Sequence, residues 1–288
     1  EISACLVGSE MCIRDRKWYL ESEKLGFLEA KYNLGYVYYE IGNFEKAEKY
    51  LQEVIEKVPH LRENATEKLI NVYNSQANFY LTSGDFEKAE KYLKILVEKY
   101  SIKECYYNLA VINSQKGNIE KYKEYILKGI ELGDSQCMFS YALSVYSETG
   151  KYTEEVDMWL KKAAEKDHVD AMYELGLFAS EENRIEDSKK WYKKAAEKGE
   201  TTAMNNLANI YSEEGNKEEA MKLYLKSAEK GNPLAFFNLG NYYEENNNIE
   251  LAKEYYDKVL DSLKGYPTSK LEQEAVNRLK KLQNEENN

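Results

Sequence analysis

The side chains able to carry chemistry fall into three sets: four cysteines, two histidines and 51 carboxylates. Cys5 and Cys12 lie in the first sixteen residues, whereas Cys105 and Cys137 occupy matching places in two neighbouring helical stretches. A small apolar residue is wanted at that place, and a free thiol packs as one. Positions so related stand one helix-pair spacing apart, beyond the ~7 Å between Cα atoms that a disulfide spans. His60 and His168 fall in turns, with no second His or Cys at metal-ligand spacing. The carboxylates occur mostly four residues before a lysine, as in Glu45/Lys49, Glu87/Lys91 and Glu186/Lys190. Such pairs line solvated helix faces and contribute a few tenths of a kcal/mol each. No glycine-rich phosphate loop, nucleophile elbow or convergent Ser/His/Asp set is present. The expectation is a protein with no catalytic residues, no metal and no cofactor, in which 26 tyrosines and a run of asparagines are left for recognition.

The elements that position these residues repeat. Gly42, Gly84, Gly117, Gly150, Asn183, Gly215 and Asn247 are separated by 42, 33, 33, 33, 32 and 32 residues. Each ends an amphipathic stretch of about a dozen residues, where Gly and Asn tolerate the left-handed backbone that terminates a helix. A second series, Tyr100, Gly133, Asp167, Gly199, Gly231 and Gly265, closes the stretch that follows. The pattern predicts helix A, tight turn, helix B, tight turn, with a period that marks a stacked repeat.

Helix A carries Ala30, Cys105, Cys137, Ala171, Ala203 and Ala235, each followed four residues later by Leu34, Leu109, Tyr141, Leu175, Leu207 and Leu239. These share a face. The next residue is always small (Gly35, Ala110, Ala142, Gly176, Ala208, Gly240), which lets helix B cross closely. Helix B answers with Ala47, Ala89, Ala220 and Ala252, then bulky pairs such as Trp191-Tyr192 and Tyr255-Tyr256. The formal charge of −11 repels phosphate backbones, and every Lys/Arg group is interleaved with Glu, which argues against nucleic acid and anionic membranes. No apolar run approaches the ~20 residues that cross a bilayer, so no membrane insertion is expected.

The stretch AKYNLGYVYYEIGNFEKAEKYLQEVIEKVP, Ala30 to Pro59, resembles a tetratricopeptide repeat, with Leu34, Gly35, Tyr38, Ala47 and Pro59 at that motif's spacing. Later units such as AMYELGLFASEENRIEDSKKWYKKAAEKGE resemble the related Sel1-like repeat, without its extra loop residues between the helices. The resemblance covers residues 17–265. It implies an all-α fold, an α-solenoid of antiparallel helix pairs wound as a right-handed superhelix, from a bacterial source. The stretch from Leu61 to Thr82 is about ten residues longer than the other A helices, which predicts a local distortion.

The resemblance also implies a concave groove lined by A helices. Counting two, six and nine residues after the recurring small residue places Tyr32, Tyr36, Tyr39, Tyr107, Phe139, Tyr173 and Phe237 on it, then Asn205, Asn209 and Asn241 with Asn206 and Asn238 alongside. Aromatic rings give contact area at low entropic cost, and amides can hold a peptide backbone by donating and accepting together. Each tyrosine also has a second reading, as packing between helices. Groove lysines that would clamp a terminal carboxylate are absent from these positions.

The ends differ in character. Residues 17–25 read as a helix B without its helix A, because Trp18, Tyr19 and Gly26 match Trp191, Tyr192 and Gly199. Residues 1–16, EISACLVGSEMCIRDR, resemble a translated sequencing linker, with a divergent natural cap as the alternative. Seven helix pairs follow the orphan helix. After Gly265 and Pro267, Ser269 and Glu272 form a capping box, and Leu271, Ala275, Leu279 and Leu282 make an apolar stripe, so 268–284 reads as a capping helix. The expected function is a protein-interaction scaffold that takes a protein or peptide partner of basic or neutral surface. The alternatives are self-assembly into a homo-oligomer through repeat ends, and a regulatory piece of a larger protein. Two free thiols suit a reducing compartment and favour the cytoplasm, though a leader preceding residue 17 would change that.

Overall fold

The computed structural model describes the backbone of residues 10–264 and 269–286, and the side chains of residues 16–264 and 269–284. Among the described residues there are sixteen α-helices, one 3-10 turn and no strand. The chain divides into two compact units, residues 1–137 and 138–288.

The first unit contains α1 (Glu10–Lys24), α2 (Glu29–Glu40), α3 (Phe44–Lys57), α4 (Arg62–Ser83), α5 (Phe86–Tyr100), α6 (Cys105–Gln115) and α7 (Ile119–Glu131), with the start of α8 (Ser135–Thr149). Three helix pairs, α2/α3, α4/α5 and α6/α7, pack antiparallel and in sequence. Gly42, Gly84 and Gly117 take φ of 75°, 77° and 75°, the left-handed region in which a β-carbon is strained. Asn43, Asp85 and Asn118 then cap α3, α5 and α7, each accepting from the backbone N–H three residues on at 3.2 Å. One residue departs from the sequence reading. The turn after α5 is made by Ser101, with φ of 56°, and Tyr100 is the last residue of the helix.

Leu34, Leu51, Leu69, Leu93, Leu109 and Ile112 form the core of this unit, each at most 1% exposed. At Gly35 a β-carbon would stand 2.7 Å from Leu51 Cγ, so the close crossing of α2 and α3 depends on its absence. At Gly129 it would stand 2.3 Å from the Cys137 sulfur, which is why a thiol rather than a larger group fits there. Cys105 and Cys137 are free and buried, and burial pushes both thiols well up, Cys105 to about 12. α4 is 22 residues long, whereas the other A helices run from 11 to 15.

The second unit holds the rest of α8, then α9 (Glu154–Ala164), α10 (Val169–Glu181), α11 (Ile185–Glu197), α12 (Thr201–Glu213), α13 (Lys217–Glu229), α14 (Pro233–Glu245), α15 (Ile249–Ser262) and α16 (Lys270–Glu286). Asn183, Gly215 and Asn247 take positive φ at the A-to-B turns, and His168 caps α10 by accepting from the Ala171 N–H at its Nδ1, 3.2 Å. α16 starts on Ser269, whose hydroxyl accepts from the Glu272 N–H at 3.1 Å. It buries Ala275 and Leu282 against Tyr256 and Val259 of α15. The residues Gly265 and Pro267, read above as breaking the chain, lie outside the described residues, as do residues 1–9 of the proposed linker. The backbone of residues 10–16 belongs to α1.

Candidate partner-binding face

In the first unit, Tyr32, Tyr36 and Tyr39 are spaced three and four residues apart on α2 and therefore share a face. The structure lays that face toward α4. Tyr32 feels the carboxylate of Glu67, the Lys68 ammonium stands 5.2 Å from the Tyr36 ring centre, and the Tyr39 hydroxyl meets the Ser75 hydroxyl at 3.3 Å. All three rings are half-buried, and burial is the first cause raising the Tyr32 and Tyr36 phenols above their ordinary value. Their outer edges, with Lys68 and Glu40 beside Tyr36, form one mixed aromatic and charged strip. Tyr107 stands on α6, and its charge neighbours are Tyr122 and Cys137 rather than the α2 rings.

In the second unit the asparagines form a network. Asn238 Nδ2 donates to Asn205 Oδ1 at 2.9 Å and to Asn209 Oδ1 at 3.1 Å. Asn209 Oδ1 also takes the Tyr224 hydroxyl at 2.6 Å, and the Tyr256 hydroxyl stands 2.7 Å from both Asn241 Oδ1 and Glu244 Oε2. Asn206 stands within hydrogen-bonding reach of the hydroxyls of Tyr173 and Tyr192. The carbonyl oxygen of Asn209 is thus occupied by the tyrosine of the paired B helix, whereas Asn241 competes with Glu244 for the one proton of Tyr256. Among the described residues the amide N–H groups of these two asparagines donate to nothing, and both residues are partly exposed. A fixed carbonyl fixes the amide plane, so the ladder offers donors rather than donors and acceptors together.

Two residues expected on the groove are covered. Phe139 is 9% exposed, its ring stacked on His168 with centres 4.6 Å apart, and Asn205 is 2% exposed beneath Asn238. Tyr173 and Phe237 are half-buried against Tyr192 and Tyr256, with ring centres 5.9 and 5.6 Å apart.

Two residues escaped the sequence reading. Glu174 on α10 is a half-buried carboxylate whose pKa is raised by burial first, then by Asp170 and Glu181. It sits one residue after Tyr173, at the place where α12 and α14 carry Asn206 and Asn238. Gln76 on α4 is 3% exposed. The signal for it lay in the glycine register: Gly84 stands eight residues after Gln76, as Gly42 does after Leu34, so a glutamine holds a core leucine position.

Packed antiparallel helix pairs, turned by left-handed residues and keyed by small ones, define a helical-repeat protein of the solenoid class. Models of the tetratricopeptide repeat match residues 26–94, 103–132, 169–197, 201–230 and 234–262, together more than half of the chain. The chain belongs to the tetratricopeptide-repeat family. In fold it is similar to a Sel1 repeat protein from Oxalobacter formigenes, at 20% identity and a TM-score of 0.61 over 79% of this chain and 98% of that one. It is also similar to c5321, a protective antigen of uropathogenic Escherichia coli with an SLR fold, at 21% identity and a TM-score of 0.58 over 93% of this chain and 63% of that one. A third is the pilF protein of Pseudomonas aeruginosa, at 18% identity and a TM-score of 0.53, over 71% and 95% of the two chains. None of the curated proteins compared matches the sequence. Repeats of this family serve in general as protein-interaction scaffolds. Among the described residues no helix is long and apolar enough to cross a membrane.

Proposed function

We propose that the chain is a non-catalytic scaffold that binds a polypeptide partner on the A-helix faces of its repeats. The observation that carries this is the orientation of Asn209. Tyr224 occupies its carbonyl oxygen, leaving its N–H donors at the surface to match the carbonyls of an extended peptide, with Asn241 at the same register position of the next repeat. In the first unit, the strip of Tyr32, Tyr36 and Tyr39 supplies ring area for apolar side chains. The net charge of −11 favours a partner of basic or neutral surface.

The test uses substitutions that keep the internal bonds. Asn209→Asp and Asn241→Asp retain an acceptor oxygen for Tyr224 and Tyr256 but remove the donors. A client captured by the full chain and identified by mass spectrometry is titrated against wild type, the double Asp variant, and Tyr32→Ala/Tyr36→Ala. Each pair of changes is expected to weaken binding by at least about tenfold, the effect of losing ~1–2 kcal/mol at contact residues. Unchanged affinity in both variants, with the helical signal intact, would refute the reading.

A further inference from the structure

A cleft lies beside the Tyr39 end of the tyrosine strip, at the edge where the α2–α3 turn faces α4 and where the Tyr39 and Phe44 rings stand 6.2 Å apart. It encloses about 440 Å³ and is walled by Ile41, Phe44, Phe79 and Tyr80, with Asn43, Glu45, Gln76 and the Tyr80 hydroxyl as its polar groups. Phe79 is 59% exposed, unusual for a ring in an otherwise packed repeat. Gln76 is its opposite, 3% exposed, and it occupies the position held by Leu34, Leu109, Leu175, Leu207 and Leu239 in other repeats. Its Nε2 donates to the Tyr92 hydroxyl at 3.2 Å, but its Oε1, closed off from water, receives no donor among the described residues. A leucine would fill the same layer without that cost. The polar atom is therefore better explained by a ligand than by packing.

The chemistry of the walls selects the ligand. The one charged side chain is the Glu45 carboxylate, joined by the Gln76 and Asn43 amides and the Tyr80 hydroxyl; Asn43 Oδ1 already accepts from the Lys46 N–H, and no lysine or arginine lines the cleft. Lys88, 5.0 Å over the Tyr80 ring, has its charge held by Asp85 at 2.8 Å. Apolar and aromatic walls that lead to acceptors fit a long apolar stem with a cationic head. A guanidinium is the better head, because its planar fork stacks on rings while donating to two acceptors at once.

Another cleft at an A-to-B turn does hold cations. Between the α14–α15 turn and α16 it is lined by Asn241, Glu244, Glu245, Ile249 and Leu282, with Glu244 at the register place of Tyr39. There Arg278 and Lys281 reach in from α16, 3.2 and 2.9 Å from Glu244 Oε1. Beside α4 the carboxylate is Glu45, and no lysine or arginine lines the cleft.

We propose that the cleft between the α2–α3 turn and α4 binds an arginine side chain of a partner polypeptide, its stem against Ile41, Phe44 and Phe79 and its guanidinium shared between Glu45 and the Gln76 amide. Gln76 turns its carbonyl to the guanidinium as the side chain enters. The site goes beyond the A-helix faces and can succeed or fail independently of them.

The experiment follows the Gln76 side-chain amide resonance of the full chain, assigned by its loss in Gln76→Leu. The probe is the blocked peptide Ac-Leu-Arg-Leu-NH2, with the uncharged citrulline peptide of equal shape as control. Saturable shifts are expected with the arginine peptide, weakened about fivefold or more with citrulline, by Glu45→Gln and by Phe79→Ala, the scale of a lost charge or ring contact. Gln76→Leu is expected to lose binding, read by saturation transfer from the peptide, while melting higher than wild type. Asn209→Asp/Asn241→Asp should bind the probe unchanged, which separates this site from the faces above. Equal binding of the citrulline peptide, indifference to Glu45→Gln and Phe79→Ala, or no saturable shift would each overturn the proposal.

Discussion

Replacing Gly240 with alanine tests how tightly the repeats are keyed. The new β-carbon would lie 2.5 Å from Tyr256 Cε1, 2.7 Å from Cδ1 and 3.0 Å from Cζ, well inside the ~3.5–4.0 Å at which carbon atoms attract. Tyr256 has nowhere to retreat. It is 0% exposed, its hydroxyl stands 2.7 Å from two acceptors, Asn241 Oδ1 and Glu244 Oε2, and its ring packs on Phe237. Overpacking of this kind costs about 1–3 kcal/mol, and displacing the hydroxyl forfeits its donated bond, worth about 1 kcal/mol. Alanine recovers about 1 kcal/mol of helix propensity. The net expectation is a loss of about 1–3 kcal/mol. The preceding pair shows how a ring yields: Ala208 stands at the matching place, and Tyr224 in its cluster is 7% exposed instead of 0%. Because repeat arrays unfold in pieces, thermal melting should be joined by hydrogen exchange resolved to α14–α16, where protection should fall first. Adding Tyr256→Leu should restore much of the loss, a coupling that a double-mutant cycle measures. Stability at or above wild type, with unchanged exchange in α14–α16, would show that the crossing has slack and would refute the reasoning.

Glu174→Gln should stabilise the fold at neutral pH. Burial, then Asp170 and Glu181, raise this carboxyl above its ordinary value. The folded state therefore holds the proton more tightly than the unfolded chain, and that contribution to stability is full below the unfolded pKa and lost as pH rises through the folded one. Melting curves should show an advantage for the glutamine variant at pH 7 that shrinks toward pH 4; a constant difference would assign the effect to packing. Cys105 and Cys137 should stay unmodified when the native protein is treated with iodoacetamide at pH 8 and then mapped by peptide mass, because burial holds both as thiols. Prompt alkylation of either would mean that its helix opens locally.

The repeat architecture was legible because it rests on local requirements. Gly42, Gly84, Gly117, Gly150 and Gly215 mark turns of positive φ, and Asn183 and Asn247 do the same work as the non-glycine residues that best tolerate it. Gly35, Gly176 and Gly240 mark crossings where a β-carbon would overlap Leu51, Tyr192 or Tyr256, and their spacing from the turns repeats. Even the slip from Tyr100 to Ser101 is a slip of one residue at a helix end. The site was legible only as a face. Periodicity placed Phe139, Asn205, Asn209 and Asn241 on A helices, but whether each is covered depends on groups many residues away: His168 over Phe139, Asn238 over Asn205, Tyr224 and Tyr256 on the amides. Gln76 is the same lesson in reverse, a register position readable in advance whose unfilled carbonyl appears only once Tyr92 and the surrounding side chains are in place. Backbone geometry and helix spacing are set by neighbours along the chain, so the sequence by itself determined them. Hydrogen-bond partners and exposure are set by side chains that meet across helices, so the tertiary structure alone decided which groups remain for a partner.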